Sequence, residues 1–380
     1  MVGLALSMVM ERFLRAICTG QSGLSKKDFL TEVTSIAATN GLEVTVFNVG
    51  ELMCKEAGVP PGMILYLPLK RSADIRRSVY KDVTREASRK SNVIVNTHAT
   101  FRWKFGLFLA LDPSEIAALE PDMFVTLIDD VDAIKLELSQ REDPESARLT
   151  MAEIMAWREE EIVVSQLCAR FRSLAGVDIP HYILPRMHGP NESNARVLYQ
   201  LMFEGHRRRV YPSFPITLAW AEPELKARIM DFRQYLRDKF ICFDPYDIEE
   251  GRLDKELRLA LEQDPARESF EITTRGKILE IPIKEVTTVQ EAIREQIVAR
   301  DYQLIDQSDM IIGYLPTLKD GNPAVSVGVT SELKYAHEAG KHVYLICPSE
   351  QGRSPFLEVA HEIFKSREEC MAFFHDRGWA

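Results

Sequence analysis

The sequence predicts an α/β protein with two doubly wound domains, each built on a parallel sheet. Three observations predict this fold class. The chain has 380 residues, which suits two domains of roughly 100–200 residues each. Short apolar runs alternate with amphipathic helical stretches along the chain, a pattern typical of parallel strands joined by helical crossovers. The alternation restarts after a basic stretch, HRRR at 206–209, so we predict domains at 1–206 and 207–380.

The first domain is predicted to have five strands and at least four helices. The strands are apolar runs at 13–20, 43–50, 92–100, 123–130 and 181–186. The helices have apolar residues at helical spacing and cover 26–41, 71–90, 150–175 and 191–205. Gly41 and Gly205 end two of these helices, because glycine adopts the left-handed conformation of a C-cap at little cost.

The second domain repeats the alternation. Its predicted strands are 210–217, 240–244, 310–315 and 343–347. Its predicted helices are 222–238, 288–300, 329–339 and a closing helix. The long segment between 244 and 288 is variable and carries no predicted element. The HRRR run is interpreted as a solvated junction between the domains.

Composition and charge exclude several classes of protein. Hydrophobic residues make up 46% of the chain and charged residues 27%, which is ordinary for a globular protein. The formal net charge is −10. Duplex nucleic acid is therefore not an expected partner, because phosphate contacts along a duplex need a basic surface. A small anionic ligand stays compatible with this charge, since it needs only a local positive site.

Membrane insertion and disulfide bonding are not expected either. The chain has no apolar stretch of 18 residues, so no membrane span is predicted. Its opening, MVGLALSMVM, lacks the basic n-region and small-residue cleavage site of a signal peptide. The six cysteines form no CxxC pair, unlike a zinc site or a secreted disulfide framework. We interpret them as buried free thiols in a reducing cytoplasm.

A degenerate phosphate loop is predicted between the first strand and the first helix. The template GxxxxGK[ST] cradles phosphate with backbone N–H groups, and adds a lysine for phosphate and a hydroxyl for Mg²⁺. The sequence here reads GQSGLSKK, with serine at the second glycine and lysine at the hydroxyl. The candidate nucleotide-binding residues are Gly20, Gly23, Ser25, Lys26 and Lys27. The alternative is that both lysines are solvated at a helix start, although the helix dipole disfavours cations there.

Three motifs in order, CTGQSGLSKKDFL, EVTVFNVGELMCKEAG and VIVNTHATF, resemble archaeal-type adenylate kinases and related P-loop nucleotide kinases. The resemblance spans about residues 13–205 and implies a P-loop kinase fold with ATP or another nucleotide as ligand. That family usually has a carboxylate before its Thr-His pair, where this chain has Asn96. With Lys27 and Asn96 in place of metal-organising groups, we expect little dependence on Mg²⁺. An active kinase, nucleotide binding without efficient transfer, and a structural relic all stay open.

Three polar clusters in the second domain predict a ligand site at one edge of its sheet. The cluster Tyr211–Thr217 ends a predicted strand, and the cluster Ser326–Glu332 enters a helix. Ligands of open parallel sheets bind outside the carboxyl ends of the strands. The remaining cluster, Asp301–Asp309, comes before its strand, so the residues alone do not place it at the site.

These clusters carry groups suited to cleaving an N-glycosidic bond. A carboxylate near a helix start, here Glu332, can attack the anomeric carbon of a sugar while a second acid protonates the departing base. Ser326 and Gly328 offer hydroxyl and N–H donors for a phosphate. Ser213 and Thr217 add two hydroxyls. The structural alternative for Glu332 alone is an acid that complements the helix dipole.

The pattern DxxxIxxxDxxIGYLP…SxGVxxELxYAxExGKxVYLI resembles nucleoside 2-deoxyribosyltransferases and the related 2′-deoxynucleoside 5′-monophosphate N-glycosidases, over about residues 208–366. The resemblance implies a Rossmann-like fold and a homo-oligomer. It also implies that Glu332 is the nucleophile, that Asp301 assists the base, and that Tyr211 shapes the sugar site. Transferases of free nucleosides often have an aspartate where this chain has Ser326, whereas the monophosphate glycosidases have serine. Ser326 therefore favours a nucleotide over a nucleoside.

We expect a cytoplasmic enzyme of nucleotide metabolism that cleaves, or exchanges, the base–sugar bond of a (deoxy)nucleoside 5′-monophosphate through an ester on Glu332. The resemblance implies no cofactor and no metal for this reaction. The base, the sugar, and the choice between hydrolysis and transfer stay open. One alternative is a nucleotide kinase whose second domain only binds nucleotide. The other is a nucleotide sensor without turnover in either domain.

Overall fold

The structure is a computed structural model that describes residues 14–103, 106–140, 148–174, 176–187, 194–349 and 355–379. The opening segment 1–10, which bears on the signal-peptide prediction, lies outside the described residues.

The first sheet has β1 at its centre. Its strands are β1 (Leu14–Thr19), β2 (Thr45–Asn48), β3 (Asn92–Asn96), β6 (Met123–Ile128) and β7 (His181–Pro185). Between β3 and β6 lies a hairpin of β4 (Thr100–Trp103) and β5 (Gly106–Leu109). The strand order is β2-β3-β1-β6-β7, and β1 pairs in parallel with β3 and β6. All of β6 is buried, as expected for an inner parallel strand covered on both faces.

Helices follow most strands of this sheet. They are α1 (Lys26–Thr39), α2 (Val49–Ala57), α3 (Leu69–Ala87), α4 (Pro113–Leu119), α5 (Val131–Ser139), α6 (Met151–Leu174) and α7 (Ala195–Phe203).

The second sheet is parallel throughout. Its strands are β8 (Arg209–Ser213), β9 (Ile241–Cys242), β12 (Met310–Tyr314), β13 (His342–Ile346) and β14 (Glu362–Phe364). They lie in the order β14-β13-β12-β8-β9, and each neighbouring pair is parallel. An antiparallel hairpin of β10 (Ser269–Thr274) and β11 (Lys277–Pro282) is separate from this sheet. The helices are α8 (Ile216–Ala221), α9 (Pro223–Lys239), α10 (Gly251–Gln263), α11 (Ile283–Asp306), α12 (Val327–Glu338) and α13 (Arg367–His375).

The predicted fold class is confirmed: the chain has two doubly wound α/β sheets. The main difference lies in the segment between 244 and 288, where the structure has α10, a hairpin and the start of α11. Helix α11 begins at Ile283, earlier than the predicted 288, and passes through Val286, Thr287, Thr288 and Val289. These β-branched residues have low helix propensity, which explains why the sequence pattern missed this part of the helix.

The interpretation of the HRRR run as solvated is wrong for its three arginines. Arg207 donates to the carbonyl oxygens of Asp238 at 3.3 Å and Lys239 at 3.1 Å. Arg209 belongs to β8, and its backbone N–H donates at 2.8 Å to the carboxylate of Asp309, which its guanidinium also contacts. The Arg208 guanidinium lies 4.8 Å from the centre of the Trp379 ring. Part of the basic run therefore belongs to the second sheet or contacts residues of the second unit.

The chain divides into two compact units, one of residues up to 128 with 137–149 and 153–182, the other of residues 129–136, 150–152 and 183–380. The predicted boundary near residue 206 lies between β7 and β8 and stays a prediction. All six cysteines are buried thiols outside any disulfide, as predicted. Across the described ranges, we find no helix that is both long and apolar enough to cross a membrane.

Candidate active site

Core packing fixes the position of Glu332 on α12. Gly313, in β12, lets this helix approach the sheet, because a Cβ there would lie 3.3 Å from Leu333 Cδ2 and 2.8 Å from Leu345 Cδ1. Leu333 is fully buried, so the neighbouring Glu332 has little freedom to move. Glu332 lies on the second turn of the helix, which begins at Val327. The helix dipole acts mainly within the first turn, so it does not account for this glutamate.

Two side chains of β8 lie beside the Glu332 carboxylate. Tyr211 and Ser213 share one face of the strand, because side chains alternate along a strand, and both are fully buried. Ser213 Oγ donates a hydrogen bond of 2.5 Å to Glu332 Oε2. The Tyr211 hydroxyl also lowers the pKa of Glu332, without forming a well-aligned hydrogen bond to it. Ser213, predicted as a phosphate donor, instead holds the candidate nucleophile.

The pKa of Glu332 is raised to about 8, mainly by burial and also by the charge of Asp301, against the lowering effects of Ser213 and Tyr211. A carboxyl group with a raised pKa in a cleft is typical of a functional site. The hydrogen bond from Ser213 favours the ionised form, which is the form a nucleophile needs.

Asp301 is the second acid of the site. It lies on α11 beside Arg300, whose guanidinium donates to Asp301 Oδ1 at 3.3 Å and to the buried Glu250 at 3.3 Å. Burial raises the pKa of Asp301 to about 6, although Arg300 lowers it. With apparent pKa values of about 6 and 8, the Asp301–Glu332 pair holds about one proton near neutral pH. The structure thus brings together the two acids that the sequence alone could not.

A cavity of about 600 Å³ opens at this acid pair. Glu332 and Asp301 line it together with the predicted Thr217, Ser326 and Gly328. Tyr211 and Ser213 are buried next to Glu332 and do not form the cavity wall. The volume lies within the range of small-molecule sites. The apolar wall includes Phe214, Ile216, Tyr246, Ile293, Ile297 and Val298.

Ser326 and Gly328 both act at the start of α12. Ser326 is the N-cap, and its Oγ accepts from the Val329 N–H at 3.3 Å. A hydroxyl that accepts in this way still has a proton to donate. A Cβ on Gly328 would lie 4.0 Å from Glu332 Oε1, so glycine keeps the approach to the carboxylate open.

Sequence reasoning missed several charged residues of this cavity, namely Glu249, Asp254, Arg258, Arg294 and Arg300. Glu249, Asp254 and Arg258 lie in the segment without predicted elements, whereas Arg294 and Arg300 lie in the predicted helix 288–300. Only the folding of α10 against α11 brings them to the cavity, and no motif marks them in the sequence.

In the first unit, three residues of the loop between β1 and α1 have a positive φ. Gly20 has a φ of 132°, and a Cβ there would lie 2.6 Å from the Leu127 carbonyl oxygen. Gly23 has a φ of 95° and Ser25 a φ of 45°. Ser25 therefore adopts the left-handed conformation that favours glycine, at the position where the phosphate-loop template has glycine.

The loop lysine is bound by groups of the same unit. Lys26 Nζ donates to the Gly20 carbonyl oxygen and lies 3.2 Å from His98 Nδ1. Glu161, which is 1% exposed, accepts from the N–H groups of Gly20 at 2.9 Å and Ala99 at 2.8 Å. Burial favours its neutral form, yet His98 and Lys26 hold the pKa of Glu161 below its ordinary value. The charge of Lys26 thus acts, together with His98, on a buried carboxylate of the protein.

The two residues that replace metal-organising groups are also paired. The exposed Lys27 ammonium lies 2.8 Å from the Glu51 carboxylate. Asn96 donates its amide to Asn48 Oδ1 at 2.8 Å, across the ends of β3 and β2. The sequence showed that Lys27 and Asn96 replace these groups, but it did not show which residues they contact.

No family model matches the chain. Among solved structures, a 2-deoxyribosyltransferase from Bacillus psychrosaccharolyticus is 16% identical, covering 43% of this chain and 89% of that one, with a TM-score of 0.26. Shikimate kinase from Aquifex aeolicus is 16% identical, covering 50% and 97%, with a TM-score of 0.31. A gluconokinase from Sinorhizobium meliloti is 16% identical, covering 43% and 98%, with a TM-score of 0.23. A deoxyribosyltransferase and two kinases are thus among the similar structures, at TM-scores too low to carry an argument about activity.

Proposed function

We propose that the second unit cleaves the N-glycosidic bond of a (deoxy)nucleoside 5′-monophosphate through a covalent ester on Glu332. The observation that carries the proposal is the acid pair at the cavity: Glu332, held by Ser213, and Asp301, held by Arg300. The raised pKa values of both acids support it, because acid–base catalysis near neutral pH needs groups that titrate there.

The reaction takes place in two steps. The Glu332 carboxylate attacks C1′, and the C1′–N bond breaks with its electron pair going to the base, which takes a proton from Asp301. Water then attacks C1′ of the ester, Asp301 accepts a proton from that water, and the Glu332 carboxylate is released. A second base in place of water gives transfer instead of hydrolysis.

In the free protein, the proton that the acid pair shares lies mainly on Glu332, whereas this scheme needs it on Asp301. Glu332 has the higher pKa, about 8 against about 6 for Asp301, whereas the reaction needs Glu332 ionised and Asp301 protonated. Only a minor fraction of the free protein is therefore in the reactive form. The Ser213 hydrogen bond raises this fraction by favouring ionised Glu332.

The direct test is release of free base from a panel of nucleosides and their 5′-monophosphates, with ribose and deoxyribose sugars, followed by mass spectrometry. The proposal expects free base and a sugar phosphate from at least one nucleotide. No base release from any member of the panel would contradict it.

The backbone of the first-unit loop favours a second candidate function, nucleotide binding or phosphoryl transfer. We propose that this unit binds nucleotide with little dependence on Mg²⁺ and transfers phosphate slowly or not at all, since Lys26 is bound to protein groups and the metal-organising groups are replaced. Calorimetric titration of the full chain and of Lys26→Met with ATP, with and without Mg²⁺, tests this. Binding that requires Mg²⁺, with turnover at about 1–100 s⁻¹, would make the unit a working kinase.

A further inference from the structure

Two arginines of the cavity have no part in the chemistry at Glu332 and Asp301. Arg258, on α10, and Arg294, on α11, line the same cavity as the acid pair. Their side chains are 65% and 60% exposed, so a ligand in the cavity can reach them. Both contact Asp254: Arg294 donates to its carboxylate at 2.8 Å, and Arg258 lies 3.5 Å from it. Two guanidinium groups therefore share one carboxylate at an exposed part of the cavity.

Helix α11 places Arg294 in line with Asp301. Seven residues separate the two, which is close to two helical turns, so both side chains leave the same face. At about 1.5 Å per residue, their Cα atoms lie roughly 10 Å apart along the helix. One wall of the cavity thus carries an acid for the departing base and, two turns away, a cation.

The third arginine of the cavity, Arg300, is already bound to carboxylates of the protein. Arg300 is buried and contacts both Glu250 and Asp301. The donors at Thr217, Ser326 and Gly328 are uncharged hydroxyl and N–H groups. The exposed positive charge of the described cavity wall is therefore that of Arg258 and Arg294.

We propose that Arg258 and Arg294 bind the phosphate of the substrate and so make the site select nucleotides over nucleosides. This inference rests on the proposed function, because it concerns the substrate of the same cavity. The ion pairs to Asp254 contribute little because both guanidinium groups are exposed, although the Asp254 side chain is 17% exposed. An arginine–phosphate contact is charge-assisted and often bidentate. A doubly charged phosphate can therefore displace Asp254 from one or both guanidinium groups.

The test compares Arg258→Gln, Arg294→Gln and the double variant with the wild type on a monophosphate and its matching nucleoside. The expected result is at least a tenfold fall in the nucleotide-to-nucleoside ratio of kcat/KM for the double variant, with the change mainly in KM. Lys255→Gln is the matched control, since Lys255 is exposed on the same helix and does not line the cavity. Its ratio should stay at the wild-type value.

The Asp254→Asn variant distinguishes phosphate binding by the arginines from a purely structural contact between α10 and α11. If the arginines bind phosphate, removing their competing carboxylate raises the affinity for the nucleotide, opposite to the effect of the arginine variants. If the cluster only joins the helices, all of these variants lower the melting temperature and leave the ratio unchanged, which would overturn the inference.

Calorimetric binding of the monophosphate distinguishes this inference from the proposed function. Base release with an unchanged ratio in the double variant overturns the arginine assignment and leaves the proposed function intact. Nucleotide binding that weakens at least tenfold in the double variant, without base release by the wild type, supports the arginine assignment and contradicts the proposed function.

Discussion

Ser213 Oγ, at the end of β8, donates a 2.5 Å hydrogen bond to Glu332 Oε2 on α12. The bond joins the sheet to the helix at the candidate nucleophile, and it lowers the pKa of a carboxyl group that burial raises. A serine expected to bind substrate is thus a positioning residue for Glu332.

Ser213→Ala should slow base release and shift its pH dependence. The profile of kcat/KM is expected to be bell-shaped, with limbs near the pKa values of about 6 and 8 of the acid pair. Without the hydrogen bond the pKa of Glu332 rises, so the alkaline limb moves to higher pH and the reactive form becomes scarcer. Since a hydrogen bond to a charged group contributes about 1.5–3 kcal/mol, we expect a fall of tenfold or more.

A matched control for this variant is Ser308→Ala. Ser308 is also buried, and its hydroxyl donates at 2.8 Å to the Leu304 carbonyl oxygen. The Ser308→Ala variant should leave both limbs of the pH profile at their wild-type positions. An unshifted alkaline limb in Ser213→Ala would show that the bond does not tune Glu332.

Glu332→Gln should stabilise the protein at alkaline pH. Glutamate ionises near pH 4.3 in an unfolded chain, whereas burial raises the pKa of Glu332 to about 8 in the folded chain. Between these values the folded chain binds more protons, so its stability falls as the pH rises from about 4.3 to about 8. The variant should melt above the wild type at pH 8.5 and at nearly the same temperature at pH 5.

Glu338→Gln provides the comparison, because Glu338 is an exposed residue of the same helix. It should show no such pH-dependent difference. Equal melting temperatures of Glu332→Gln and the wild type at pH 8.5 would mean that Glu332 is not destabilised by burial of its charge.

Gly328→Ala should reduce base release without weakening the fold. Alanine favours a helix over glycine, and the added Cβ would lie 3.8 Å from Ser326 Oγ and 4.0 Å from Glu332 Oε1, both ordinary contacts. The methyl group would stand next to the carboxylate that must reach C1′. A misplacement of about 1 Å can cost about a hundredfold in rate, so steady-state kinetics should show a loss of about 10- to 100-fold with the melting temperature kept or raised. Full activity would place C1′ on another side of Glu332.

Glu161→Ala should destabilise the first unit strongly. It removes the acceptor of buried N–H groups at Gly20, Ala99 and Thr100, and it removes the carboxylate beside His98. The expected loss is about 3–5 kcal/mol, measured by urea unfolding. The neighbouring Glu160→Ala breaks only a partly exposed pair with Arg102, so its cost should stay near 1 kcal/mol. Similar losses in the free energy of unfolding for both variants would show that Glu161 does not stabilise this loop.

The sequence was sufficient for the first sheet, for four of the five strands of the second sheet and for the helix that carries the candidate nucleophile, because apolar runs and the Ser326–Glu332 motif are local signals. It missed the three-residue strand β14, and its residues alone, without the resemblance, could not place Asp301, which precedes its strand and reaches the cavity only through the length of α11. The bond from Ser213 to Glu332 depends on how a helix packs on a strand far away in the chain. Arg258 and Arg294 lie on helices whose packing brings them together, and the partners of Lys26 lie on separate elements of the first unit.

If Glu332 is the nucleophile that releases the base, the rate of base release should depend on its charge, which Glu332→Gln removes while keeping the shape of the side chain. Release from the best nucleotide is expected to fall at least a thousandfold in this variant, while calorimetry finds nucleotide binding within a few-fold of the wild type. A Glu332→Gln protein that binds nucleotide and keeps more than a tenth of the wild-type rate would show that Glu332 is not the nucleophile.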